Sequence, residues 1–113
     1  MEILPEREIA EIRSKYPDIS QEYLAWLSEV GWGELESGYM IYSSPIYASE
    51  MFGELCPENI KKVLMVGDDM AGYSVGFVFN DSGWNFVGVD SCGWVDEMIP
   101  EGFSAYFKVN KAQ

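Results

Sequence analysis

Hydrophobic and polar positions follow two different periods along the chain, and the switch between them separates helices from strands. Between Glu6 and Tyr16, the residues Ile9, Ile12 and Tyr16 recur at helical spacing among charged neighbours. This predicts an amphipathic helix that Pro17 stops. A second helix begins at Asp18, with Gln21 at capping-box spacing, or at Ser20, with Ile19 and Leu24 placed as a hydrophobic staple. Its apolar stripe is Tyr23, Leu24, Trp26, Leu27 and Val30, and Gly31 is placed to end it.

The stretch Val63–Val89 carries the period of two. Tyr73, Val75, Phe77 and Phe79 occupy every second position, the mark of a strand with one well-buried face. Asn80-Asp81-Ser82-Gly83 is a turn sequence, and Trp84 to Val89 returns as the second strand of an antiparallel hairpin. Val63 to Val66 reads as a third strand buried on both faces. Leu35 to Tyr42 alternates weakly, Tyr39 and Ile41 against Met40 and Tyr42, and predicts a further strand. Ser44-Pro45 resembles a helix start and Gly53 a helix stop, so a helix of about eight residues is expected between them. Cys56 to Asn59 links to the hairpin, Asp90 to Gly93 reads as a turn, and Trp94 to Glu97 as a short strand. Phe103, Tyr106 and Phe107 give a short C-terminal helix its aromatic face. The expected class is therefore α+β: one domain over residues 1–113, with an antiparallel or mixed sheet packed by the N-terminal helices and the C-terminal one.

Composition adds a direction. With 48% hydrophobic and 15% aromatic residues the chain is well outside the disordered regime. The net charge is -12, and residues 1–60 hold twelve acids against three bases. Seven Lys and Arg in all argue against direct binding of nucleic acid, whereas a basic protein partner fits the field. Cys56 and Cys92 match no zinc pattern and His is absent, so the expectation is two buried thiols in a reducing compartment, with one disulfide as the alternative. No secretory signal and no apolar run of membrane-spanning length is present, which implies a cytoplasmic protein without membrane contact. Exposed edge strands leave monomer and homodimer both open.

Candidate chemistry is sparse. Gly67-Asp68-Asp69 places adjacent carboxylates at a strand end, an arrangement that holds Mg²⁺ when Asp90, Asp96 or Glu97 supplies further oxygens. The competing reading is a tight turn in which Asp bonds its own backbone, together with surface contact. The absence of His removes Ser-His and Cys-His pairs, and no nucleophile elbow or phosphate loop occurs. Tryptophans carry more weight. Trp26 fits the core, whereas Trp32, Trp84 and Trp94 lie at glycine-rich or turn edges, where aromatics dominate binding energy.

Taken in order, these motifs resemble the SUKH superfamily. The resemblance rests on Tyr23-Leu24-Ala25-Trp26-Leu27 with Val30-Gly31-Trp32-Gly33-Glu34-Leu35, then Gly67-Asp68 with Ala71-Gly72-Tyr73 before a strand, then Phe103, Tyr106 and Phe107. It covers about residues 6 to 109, and departs from the family in a short linker before the closing helix and an aromatic-rich hairpin. It implies an α+β fold, no catalytic residues, no cofactor and a non-enzymatic role. Many bacterial members are similar to immunity proteins that neutralise a cognate toxin; others act as regulatory interaction domains. The residues expected to contact a partner are Trp32, Asp68, Asp69, Tyr73, Asp90 and Trp94. The competing enzymatic reading is a metal-dependent hydrolase using Asp68 and Asp69.

Overall fold

Of the two N-terminal helices, the second starts at a side-chain cap and the first follows Pro5 without one. The computed structural model describes residues 2–81, 83–99 and 102–111, with the side chains of 96–98 and 108–111 outside the description. Helix α1 spans Glu6–Lys15 and α2 spans Gln21–Glu29. Ser20 caps α2, its hydroxyl accepting the Tyr23 amide at 3.3 Å, while Ile19 and Leu24 are buried in one cluster as the staple requires. Asp18 is not the cap; it takes a left-handed φ of 66° in the link between the helices. At the other end, the Val30 and Gly31 amides both reach the Trp26 carbonyl at 2.8 Å, so α2 stops where Gly31 was expected to stop it.

Among the described residues, six strands form one antiparallel sheet in sequence order. They are β1 Gly33–Glu34, β2 Met40–Tyr47, β3 Leu64–Asp68, β4 Ser74–Asn80, β5 Gly83–Val89 and β6 Val95–Met98. The β4–β5 hairpin is antiparallel as expected, and its register runs from Ser74 opposite Val89 to Asn80 opposite Gly83. Ser82 of its turn lies outside the described residues. Helix α3, Ala48–Phe52, and two 3₁₀ turns, Gly53–Leu55 and Glu58–Ile60, join β2 to β3. Helix α4, Gly102–Lys111, closes the chain.

Four expectations need correction. Ser44 and Pro45 do not start a helix; they belong to β2, and only Ala48–Phe52 is helical before Gly53. Proline is tolerated there because the register with β3 is interrupted between Ile41 and Ile46, where no ladder donor is required. Leu35 to Tyr39 is a loop, held by the Leu35 amide on the Tyr39 carbonyl at 2.7 Å, so the strand begins at Met40. The period of two in β4 does not mark one buried face: Val75, Gly76 and Phe77 are all buried, while Phe79 runs past the core and is 61% exposed. Cys56 is buried but Cys92 is exposed, and both are free thiols.

The two faces of the sheet are covered unequally. On one, α1, α2 and α4 enclose a cluster that includes Ile9, Tyr23, Leu27, Val66, Phe77, Phe103 and Phe107. Ring contacts tie it together: Phe103 meets Tyr23 at 5.2 Å, Trp26 at 5.6 Å and Phe107 at 4.7 Å between centroids. Truncating such a ring to alanine costs about 3–5 kcal/mol. On the other face only α3 and the 3₁₀ turns lie over Val63, Met65, Val87 and Val89. Alternation along β3 feeds both layers: Leu64 and Val66 join the helix-covered cluster, Met65 the thin one.

Candidate functional site

Register places three connections at one end of the sheet. Met40 pairs with Asp68, Asp68 with Ser74, and Ser74 with Val89, so the segments 35–39, 69–73 and 90–94 turn the chain side by side. Two of them are built alike. In Asp69-Met70-Ala71-Gly72-Tyr73, Asp69 Oδ1 accepts the amides of Ala71 at 2.8 Å and Tyr73 at 3.0 Å, and the Asp69 amide donates to the Tyr73 carbonyl at 2.9 Å. In Asp90-Ser91-Cys92-Gly93-Trp94, Asp90 Oδ1 accepts the amides of Cys92 at 2.9 Å and Trp94 at 3.1 Å, and the Asp90 amide donates to the Trp94 carbonyl at 3.0 Å. Each carboxylate thus ties down two turn amides. Gly72 and Gly93, with φ of 105° and 83°, supply the left-handed residue before the aromatic.

Asp68 anchors the first turn from the strand side. Its Oδ1 accepts the Met70 amide at 2.7 Å and its Oδ2 accepts the Tyr42 hydroxyl at 2.5 Å. Burial, then that hydrogen bond, then the carboxylate's charge push the ionisation of Tyr42 well above its ordinary value. These carboxylates face the backbone and a phenol. Among the described residues, no three His, Cys, Asp or Glu side chains converge as a metal site would need. The side chains of Asp96 and Glu97 lie outside the description.

The expected contact residues divide into three groups. Asp68, Asp69 and Asp90 come together at the turn end, each with a structural duty. Tyr73 joins them but turns inward: it packs against the helix-side cluster, and its hydroxyl lies over Gly88 where any side chain would stand. Trp94 turns outward and is 59% exposed. Trp32 stands apart, beside β1 at the far edge of the sheet, bridged to Glu2 through mutual backbone bonds of 2.8 and 3.0 Å. Trp84 is likewise occupied, its indole NH donating to the Pro17 carbonyl at 3.0 Å.

Next to the acidic turns is a groove that sequence reasoning missed. It has a volume of about 330 Å³ and lies on the thinly covered face. Ile60, Met65 and Val89 form its floor; Phe52 and Leu55 project beside it, Leu55 at 90% exposure. Asp90 to Gly93 closes the opposite side, with Gly93 packed on Pro57. The signal was available: two large apolar residues, Phe52 and Leu55, flank the helix-stopping Gly53 and have no helical stripe to belong to.

No family model, curated protein or solved structure matches this chain. No helix among the described residues is long and apolar enough to cross a membrane.

Proposed function

We propose that this protein is a non-enzymatic binding domain that docks onto another protein, and that it acts as an immunity protein neutralising a cognate toxin. The observation that carries the reading is the asymmetry of the sheet. One face has a full helical layer, while the other leaves Phe52 and Leu55 exposed beside a groove that Asp90 borders. An apolar patch rimmed by charge of one sign is the usual mark of a macromolecular contact. With a net charge of -12, the fitting partner is basic, such as a nuclease whose substrate groove the domain occupies. The resemblance to SUKH immunity proteins points the same way, and no nucleic acid, cofactor or membrane is part of the reading.

Affinity capture from the source cells at low and high salt tests it, with the Asp68→Asn, Asp69→Asn double variant alongside. A discrete basic partner that is retained at low salt, and weakened by the variant while its melting temperature holds, supports the proposal. A salt-independent complex of equal strength with both proteins contradicts it. An endogenous regulator captured in place of a toxin would make the domain a scaffold. A calorimetric response to Mg²⁺ or Mn²⁺ abolished by the same variant would favour the hydrolase reading.

A further inference from the structure

We infer that the groove between the 3₁₀ turns and the β5–β6 turn receives one large apolar side chain from a Lys- or Arg-flanked segment of the partner. This rests on the protein-binding reading and specifies its anchor. Three properties of the groove lead to it. Its floor, Ile60, Met65 and Val89, is apolar and already buried, so it backs the slot rigidly and an entering side chain costs the protein little in ordering. Its lip, Phe52 and Leu55, is 44% and 90% exposed, leaving apolar surface for the anchor to cover.

The third property is charge. Among the described residues lining the groove the one charged side chain is Asp90, and Glu54 and Glu58 sit next to lining positions Leu55 and Pro57. The nearby cation Lys61 is already engaged by Glu58 at 2.8 Å. Around the apolar slot the carboxylates of Asp90, Glu54 and Glu58 outnumber the Lys61 ammonium, so a basic flank meets a net negative rim. A second copy of this chain is a poor occupant, since each copy brings a net charge of -12 to the contact. The walls are also fixed in advance. Asp90 ties two amides of its turn and Gly93 packs on Pro57, so the slot exists without a partner.

The test uses the whole chain with labelled methyl groups and three heptapeptide probes. One has a central leucine flanked by lysines and arginines; the others replace that leucine by alanine, or the basic flanks by glutamate. The expected result is methyl shifts at Leu55, Ile60, Met65 and Val89 with the basic leucine probe, and none at Ile9 and Ile12 in the helix-covered cluster. Affinity should fall about tenfold or more for either control peptide and for Leu55→Ala, a change at an exposed site that leaves the fold intact. Equal binding of the leucine and alanine probes, or shifts confined to other methyls, overturns the inference. So does the absence of any shift at millimolar peptide. If Leu55→Ala nevertheless captures the partner as well as the parent chain does, the groove assignment falls and the protein-binding reading stands.

Discussion

At the β3–β4 junction the residue that closes the turn folds inward; at the β5–β6 junction its counterpart stands out in solvent. Asp69–Tyr73 and Asp90–Trp94 share the same aspartate cap, the same backbone closure and the same left-handed glycine. Inside the turns the one backbone contrast at matched positions is Met70, left-handed at φ 62° where Ser91 is not; the larger difference is the surroundings. β3 and β4 are interior strands, so Tyr73 has Gly88 of the neighbouring strand to lie on, whereas β6 is an edge strand and Trp94 has no strand beyond it. The same aspartate-and-glycine closure packs its aromatic inward in one place and leaves it exposed in the other. Tertiary position decides which.

The largest expected difference is between Tyr73→Ala and Trp94→Ala. The first should lower unfolding stability by about 2–4 kcal/mol through loss of packed ring contacts. The second should stay within about 0.5 kcal/mol, because the ring is 59% exposed. Urea unfolding of both variants measures this, and equal losses would break the contrast. Next come Gly72→Ala and Gly93→Ala, each carrying roughly 1–2 kcal/mol for a left-handed backbone. Gly93→Ala should cost more, because its new methyl would overlap the Pro57 ring, whereas the one at Gly72 meets Ser91 at 3.1 Å. Matching melting temperatures would show that the 3₁₀ segment yields freely.

Asp69→Ala and Asp90→Ala should each cost about 1–2 kcal/mol, since each frees two turn amides. The asparagine variants, which keep the accepting oxygen, should stay within about 0.5 kcal/mol. A loss at one turn only would mean that the two frames are not equivalent. At neutral pH Tyr42→Phe removes the contact to Asp68 for about 1 kcal/mol. Its effect appears in alkali. The folded state holds the Tyr42 phenol neutral above its ordinary value near 10, so the stability it contributes is complete below that pH and declines as pH rises past it. Tyr42→Phe should therefore show a shallower alkaline decline than the parent in denaturant titrations across that range.

Much of this architecture was legible in the chain. The stripe of α2, the β4–β5 hairpin and the doubly buried β3 follow from period and turn chemistry alone, because each is decided by residues within reach of one another. Ser44-Pro45 misled for the opposite reason. Its helix-start signal is real, but pairing of Ile46 and Tyr47 with β3 overrides it. The acidic turns were legible as turns, while the repeated Asp-x-x-Gly-aromatic frame needed the two segments to be set side by side. Whether Tyr73 or Trp94 faces solvent is written in neither pentapeptide. It depends on which strand lies next door. The groove was least legible, since Phe52, Met65 and Val89 come from three separate parts of the chain.

Hydrogen–deuterium exchange on the captured complex tests the central claim most directly. The account predicts new protection in the segments 52–60, 69–73 and 90–94, with α1 and α2 unchanged. Protection confined to α1 and α2 would place the partner on the helix-covered side and contradict it.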